Sequence, residues 1–158
     1  MKNFLYSFFI VFTSGAFASY FSRYGVDTWY HQAIISKFTP PDSFFSIIWS
    51  IIYILMTISF FKILQISEQG YNTKAKILFV TQLFFQIIWC YTFFYNGWLG
   101  VGFGVILLLD YITFATIKSF KSIKAISAYL LYPYLIWLCY ASFLNLIFII
   151  DNGFIIYF

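Results

Sequence analysis

The sequence has very few charged residues. Only 9% of its 158 residues are Asp, Glu, Lys or Arg, against roughly 25% in an ordinary soluble domain. Hydrophobic residues make up 63% of the chain, and the mean hydropathy is +0.88. Such a chain lacks the polar side chains needed to cover a globule in water. The composition therefore excludes a soluble protein and predicts an integral membrane protein.

Residues that commonly form metal and catalytic sites are also scarce. His31 is the single histidine, and Cys90 and Cys139 both lie inside apolar runs, where we expect buried small side chains rather than a disulfide or a metal pair. The sequence contains no nucleophile–base pair and no carboxylate pair that meets a standard catalytic template. We therefore expect no metal ion and no cofactor. The lysines and arginines are scattered, which argues against nucleic-acid binding.

Long apolar runs dominate what is present. Each is long enough to cross a bilayer, and a helix satisfies its own backbone polar groups in lipid. The runs are Phe4–Tyr20, Phe44–Leu64, Ile77–Tyr95, Trp98–Ile117 and Ile126–Ile150. They predict an all-α membrane protein, a bundle of five transmembrane helices that forms one domain over residues 1–158, with a long first loop, Phe21–Ser43. The first run also fits a signal peptide, but no soluble domain for export follows it.

The distribution of basic residues predicts the orientation in the membrane. With the N-terminus inside, only Arg23 and Lys37 would lie outside. Seven lysines would lie inside, namely Lys2, Lys62, Lys74, Lys76, Lys118, Lys121 and Lys124. The positive-inside rule therefore favours an inner N-terminus and an outer C-terminus. Abundant Phe, Ile, Tyr and Lys suggest an AT-rich microbial genome, so we expect a bacterial cell membrane.

Three of the apolar runs carry aromatic and amide side chains on one helical face. A position advances by about 100° per residue on an α-helix. The shared faces are Trp49, Tyr53, Met56 and Phe60; Gln82, Gln86, Trp89 and Phe93; and Tyr134, Trp137, Ala141, Asn145 and Phe148. The opposite face of the last run holds Leu135, Ile136, Ser142, Phe143, Leu146 and Ile150. These patterns predict either an aromatic ligand cavity inside the bundle or ordinary packing between helices.

Polar and small residues inside the runs carry further predictions. Gln82 and Gln86 should point inward, since uncompensated amides are costly in hydrocarbon. Gly100 and Gly104 have the spacing of a close helix contact, either within the bundle or across a dimer. Asp110 is a candidate functional acid by its place in an apolar run, although a structural role is an equal alternative.

Three blocks of residues follow one another in a recognisable order. They are Thr28-Trp29-Tyr30 with Thr39-Pro40-Pro41, Phe45 and Trp49; Gln82-Leu83 with Gln86, Trp89 and Phe93-Phe94; and Tyr132-Pro133-Tyr134-Leu135-Ile136-Trp137 with Ala141 and Leu144-Asn145. These blocks resemble the first loop and second helix, the third helix and the fifth helix of the TspO/MBR family, the tryptophan-rich sensory proteins related to the mitochondrial translocator protein. The resemblance covers nearly the whole chain.

The resemblance implies a five-helix bundle, often a homodimer, with a pocket closed by the first loop. Ligands of the family include porphyrins such as protoporphyrin IX, haem, sterols and benzodiazepine-type drugs. By position, the lid would be formed by Trp29, Tyr30 and Pro41. The walls would be formed by Trp49, Tyr53, Gln86, Trp89, Trp137, Ala141 and Asn145.

The chain departs from the family pattern at several positions. Ile35, Ser36 and Phe38 stand where a Lys-Pro pair is common, and Gln86 stands where an Asn is usual. The sterol-recognition pattern of the animal proteins requires a basic residue near the end of the chain, but no basic residue follows Lys124 here. Residues 124–131 fit the reversed form of that pattern. A porphyrin, haem-type or other planar hydrophobic ligand is therefore favoured over a sterol.

Three functions follow from the resemblance. The favoured one is a membrane receptor or sensor that binds porphyrins and similar flat hydrophobic ligands, with a role in their transport or in stress regulation. A second is an enzyme that promotes light- and oxygen-dependent porphyrin degradation, in which Trp49 and Trp137 would be the catalytic candidates. A third is a sterol or small-molecule transporter; Asp110 alone could couple ions, and no inverted repeat is visible.

Overall fold

The structure is a computed structural model that describes residues 2–66 and 71–156. Within these ranges the secondary structure is helical. The helices are α1 (Lys2–Thr28), α2 (Asp42–Leu64), α3 (Tyr71–Cys90), α4 (Leu99–Ile123), α5 (Ala125–Tyr129) and α6 (Tyr132–Asn152). A 3₁₀ turn, Tyr30–Gln32, follows α1, and a π-helical turn, Tyr91–Tyr95, extends α3. Five helical segments of the described chain, with α5 and α6 counted as one, are long and apolar enough to cross a membrane, as the sequence predicts.

The helices form a ring in which neighbours along the chain are not always neighbours in space. Helix α1 packs against α2 and α3, while α4 packs against α3 and α6. Helix α5 lies between α4 and α2, and the seam between α2 and α6 has the least close contact of the neighbouring pairs. The predicted five-helix bundle is confirmed, and its most open seam lies between the two helices that carry Trp49 and Trp137.

Helix α1 is longer than the sequence predicts. The polar residues after Tyr20 continue the helix to Thr28, because their side chains find partners within it. The Ser22 hydroxyl donates to the Ala18 carbonyl at 2.8 Å, and Arg23 lies 3.8 Å from Asp27 one turn later. The predicted loop Phe21–Ser43 is therefore wrong in its extent. The connection between α1 with its 3₁₀ turn and α2 is residues 33–41, and Trp29 and Tyr30 lie at the end of the helical segment.

Helix α1 meets the end of α3 in very close contact. A Cβ atom added to Gly25 would lie 2.8 Å from the carbonyl carbon of Phe94 and still closer to its oxygen. That carbonyl belongs to the last turn of the extended α3, where backbone acceptors lack helical partners. It accepts instead the indole N–H of Trp29 at 2.7 Å. Trp29 therefore caps α3 and fixes the end of α1 against it.

The connection between α3 and α4 is the short turn that the sequence predicts. Gly97 adopts a left-handed conformation with φ of 64°, which a residue with a side chain adopts only at a cost. The Gly97 carbonyl accepts the backbone N–H of Ile156 at 2.9 Å, and the N–H of Gly100 donates to Phe154 at 3.0 Å. The C-terminal residues thus return to the hairpin between α3 and α4.

The connection that the sequence predicts between the fourth and fifth apolar runs, Lys118–Ala125, is also wrong in its extent. Helix α4 continues to Ile123, and Lys124 alone is extended, with φ of −153°. The predicted fifth run is divided into α5 and α6 because Pro133 stands in the first turn of α6. Proline lacks the N–H that would continue the helix from α5, so the chain breaks just before it. The residues between the second and third apolar runs, Gln65–Lys76, include 67–70, which lie outside the described residues. Helix α3 begins at Tyr71, before the third run.

Two smaller predictions are corrected in part. Cys90 is buried as expected, but Cys139 is exposed on the outward side of α6; both are free. Within the bundle the close contact of α4 is made by Gly102, whose added Cβ would lie 2.8 Å from Cβ of Phe93, whereas Gly104 has nothing within 4 Å. Gly100 faces Phe154 of the C-terminal tail.

A candidate ligand site inside the bundle

The aromatic face of α6 lies in the interior, as its periodicity predicts. Tyr134, Trp137, Ala141, Asn145 and Phe148 are all buried. On the opposite face, the exposed side chains are Ile136, Phe143, Leu146 and Ile150, while Leu135 is half-buried. Ser142 departs from the prediction, since it is buried.

Trp137 lies at the seam between α2 and α6. Its side chain is 8% exposed, and the centre of its ring system is 5.3 Å from that of Phe45 and 5.6 Å from that of Tyr140. The indole N–H is buried and has no hydrogen-bond partner within residues 2–66 and 71–156. A buried donor without a partner costs free energy. Trp137 therefore presents a polar atom that a guest with an acceptor could satisfy.

A second group of side chains links α2, α3 and α6. The Trp49 ring stacks on Tyr53 at 5.6 Å and approaches Tyr134 at 6.2 Å. The amide of Gln86 donates to the Tyr53 hydroxyl, and the Tyr134 hydroxyl donates to the carbonyl oxygen of the same amide at 3.4 Å. Gln86 is fully buried, so both ends of a costly amide are satisfied by tyrosines. The inward direction predicted for Gln86 is confirmed.

A third group lies about one helical turn further along α3 and about three turns further along α6. The indole N–H of Trp89 donates to the side-chain oxygen of Asn145 at 3.1 Å. The amide nitrogen of Asn145 donates to the Ala141 carbonyl at 3.0 Å. Asn145 therefore has its partners within the bundle.

Trp29 and Tyr30 are separated from Trp137 in the structure. Tyr30 stacks on Phe148 with centroids 5.1 Å apart and planes 9° apart, and Trp29 lies 6.3 Å from Phe93. The structure thus places them at one end of the bundle interior, against α3 and α6. The remaining lid candidate, Pro41, is exposed and immediately precedes α2, where its side chain makes no capping hydrogen bond.

The segment of residues 33–41 is fastened to α6 at three points. The Tyr140 hydroxyl donates to the carbonyl of Phe38 at 2.6 Å. Asn152 binds both backbone groups of Ile34, accepting its N–H at 2.8 Å and donating to its carbonyl at 2.9 Å. Phe38 also packs edge-on against Phe143 at 5.9 Å. This short connection covers the end of the seam near Trp137.

Sequence reasoning did not include Phe45, Tyr134 or Tyr140 among the candidate site residues. Tyr134 shares the inward face of α6, and Phe45 belongs to the blocks that resemble the family, so both carried a usable signal. Tyr140 carried none, because its partner is a backbone carbonyl of a loop that is remote in the sequence.

Other polar groups lie outside these three groups. Asp110 accepts a hydrogen bond from the Ser142 hydroxyl at 2.7 Å, and its second oxygen is buried with no partner in the described ranges. Both amide atoms of Gln82 are likewise buried and unpartnered there. Nε2 of His31 lies 3.1 Å from Oδ2 of Asp42 at the start of α2. Within the described residues, no group of three or more His, Cys, Asp or Glu side chains could hold a metal ion.

These observations define a multi-pass integral membrane protein whose five-helix bundle encloses aromatic and amide side chains. The chain belongs to the TspO/MBR family, whose model matches residues 7–150. It is 33% identical over 138 residues to the tryptophan-rich protein TspO of Archaeoglobus fulgidus, covering 85% of this chain and 87% of that protein. It is 28% identical to the protein of the same name from Chlorobaculum tepidum, covering 75% of this chain and 76% of that protein. It shares 26% identity with the tryptophan-rich sensory protein of Cereibacter sphaeroides, covering 75% of this chain and 73% of that protein.

Proposed function

We propose that this membrane protein is a receptor or sensor that binds porphyrins and similar flat hydrophobic ligands at the seam between α2 and α6. The observation that carries the proposal is the indole N–H of Trp137, which is buried among the rings of Phe45 and Tyr140 and has no hydrogen-bond partner within the described residues. Aromatic faces attract a planar guest through offset stacking, and the indole N–H can donate to a carboxylate or a ring nitrogen.

The rest of the candidate set supports the same proposal. Trp49 is half-buried on the facing helix and stacks on Tyr53, so it offers a second aromatic wall across the seam. Ala141 is one turn beyond Trp137, and its small side chain would leave room for a ring edge. Residues 33–41 would then act as the lid, because they bridge from the start of α2 to α6.

The test is titration of the purified chain in detergent with protoporphyrin IX, followed by quenching of tryptophan fluorescence. We expect saturable quenching, and we expect Trp137→Phe to weaken binding about fivefold to tenfold, because it keeps an aromatic ring but removes one hydrogen-bond donor. The matched control is Trp98→Phe, which changes a side chain that is 45% exposed at the hairpin between α3 and α4.

The proposal would be wrong if quenching did not saturate, or if Trp137→Phe and Trp98→Phe bound protoporphyrin IX equally well. Haem and a sterol titrated in parallel distinguish planar tetrapyrroles from other apolar ligands. Ala141→Leu should also reduce affinity, since it fills the space beside Trp137.

We also infer the orientation from the positions of the lysines. The lysines at the end of α2, the start of α3 and the end of α4 lie at the end of the bundle that holds the start of α1, where Asn3 donates to the Leu64 carbonyl at 2.8 Å. The positive-inside rule assigns this end to the inner side. A homodimer, as the family resemblance implies, would leave this orientation unchanged.

A further inference from the structure

We propose that the groove between the end of α4 and the start of α6 binds the headgroup and upper acyl chain of an anionic phospholipid. The groove is open to the surface, has a volume of about 510 Å³ and lies on the outside of the bundle; Trp137 is not among its lining residues. Its lining combines cationic, hydroxyl and aromatic side chains: Phe114, Ile117, Lys118, Lys121, Ser122 and Tyr132.

Among the described residues that line the groove, none is acidic. Lys118 and Lys121 are three residues apart on α4, so they share a face, and both are exposed. Among the described residues, the ion pairs are Arg23 with Asp27 and His31 with Asp42, which lie at the other end of the bundle. The two lysines therefore form a site that is complementary to a phosphate group.

The apolar part of the groove points to a lipid rather than to a free anion. Phe114 lies one helical turn before Lys118, nearer the middle of α4, and is 50% exposed. Tyr132 of α6 forms the facing wall and is 38% exposed. The Lys118 ammonium lies 5.8 Å from the Phe114 ring centre. A groove that is cationic at one end and apolar beside it is complementary to a phospholipid, whose charged phosphate group is joined to apolar acyl chains. Basic pockets between membrane helices on the inner side have this composition when they bind anionic lipid headgroups.

The position of the lysines distinguishes this groove from general attraction to the inner leaflet. Lys74 and Lys76 lie at the same end of the bundle, in the first turns of α3, but they do not line the groove. A pair of charge-removing substitutions there changes the net charge by the same amount as a pair in the groove. The two pairs therefore separate a shaped site from surface charge.

The experiment is native mass spectrometry of the full chain released from detergent with added phosphatidylglycerol or phosphatidylcholine. We expect retention of phosphatidylglycerol, and we expect Lys118→Gln/Lys121→Gln to weaken it about thirtyfold, because two charge-assisted contacts to the phosphate are lost. Lys74→Gln/Lys76→Gln should change retention by less than about threefold, because neither side chain lines the groove and distant exposed charges are screened. Unchanged thermal unfolding of both double variants would show that the fold is intact.

Three outcomes would overturn the proposal. The first is equal retention of phosphatidylcholine, and the second is an equal loss in the two double variants. The third is competition by inorganic phosphate as effective as competition by phosphatidylglycerol, which would indicate a simple anion site. Phe114→Ala tests the apolar wall, since it should weaken long-chain phosphatidylglycerol and leave the weak binding of inorganic phosphate unchanged.

Discussion

At the scale of single residues, two neighbouring glutamines on α3 have opposite surroundings. Gln86 donates to one tyrosine and accepts from another, whereas both amide atoms of Gln82 are buried without a partner in the described part of the chain. Both side chains are fully buried. The same substitution at the two positions should therefore change stability in different directions.

We expect Gln86→Leu to lower the free energy of unfolding by about 1–2 kcal/mol, because the hydroxyls of Tyr53 and Tyr134 lose their shared partner. Gln82→Leu should be neutral or stabilising, since it removes polar atoms that have no hydrogen bond to lose. Thermal unfolding midpoints in detergent measure both effects. A larger loss in Gln82→Leu than in Gln86→Leu would contradict this assignment of partners.

The residue scale also shows which parts of the site could be predicted. The inward faces of α3 and α6 were predicted because helical periodicity is a local property of the sequence. The partner of Gln86 was not, since periodicity gives the direction of a side chain but not the residue that it meets. Tyr53 and Tyr134 reach it through the order and rotation of the helices in the ring, and these depend on contacts that are remote in the sequence.

At the scale of elements, the fold depends on two close contacts between helices. Gly25 of α1 lies against the Phe94 backbone, and Gly102 of α4 lies against Phe93. Both contacts are with the last, π-helical turn of the extended α3. That turn is therefore held from two sides by helix surfaces that have no side chain at the contact.

Gly25→Ala should be strongly destabilising, because its methyl group would collide with backbone atoms that cannot rotate away. We expect a loss of about 2–3 kcal/mol or more, as for other overpacked interiors. Gly104→Ala is the matched control: it has open space around the added methyl group, and alanine favours the helix by about 0.5–1 kcal/mol over glycine. Thermal unfolding in detergent compares them. A stable Gly25→Ala variant would show that α1 and α3 are further apart than described.

The length of α1 could not be predicted from hydropathy. Ser22, Arg23 and Asp27 suggested a loop, because polar residues end an apolar run. They continue the helix instead, through bonds within one turn. Hydropathy marks where a chain can lie in hydrocarbon, and a helix is free to continue past that boundary into the polar interface.

At the scale of the whole molecule, residues 33–41 connect the first two spans and bind the last one. The hydrogen bond from the Tyr140 hydroxyl to the Phe38 carbonyl is one of the contacts that hold this segment against α6. Tyr140→Phe should therefore increase its local opening about fivefold, as expected for one lost hydrogen bond of about 1 kcal/mol. Hydrogen exchange by mass spectrometry measures the protection of this segment.

The control for this effect is Tyr129→Phe, which alters an exposed tyrosine on α5. It should leave the exchange of residues 33–41 unchanged. If Tyr140→Phe also left it unchanged, the hydrogen bond to Phe38 would not restrain the segment. If the segment is the lid of the proposed site, the same variant should also speed release of protoporphyrin IX.

The two hydrogen bonds between Asn152 and Ile34 have a practical consequence for labelling studies. They place the carboxyl end of the last span directly beside the connection that covers the seam. A spin probe or fluorophore near residue 152 would therefore report displacement of that connection, whereas one at the amino end, on the opposite side of the bilayer, would be silent. A bulky tag fused too close to residue 152 would disturb the very movement it was meant to reveal.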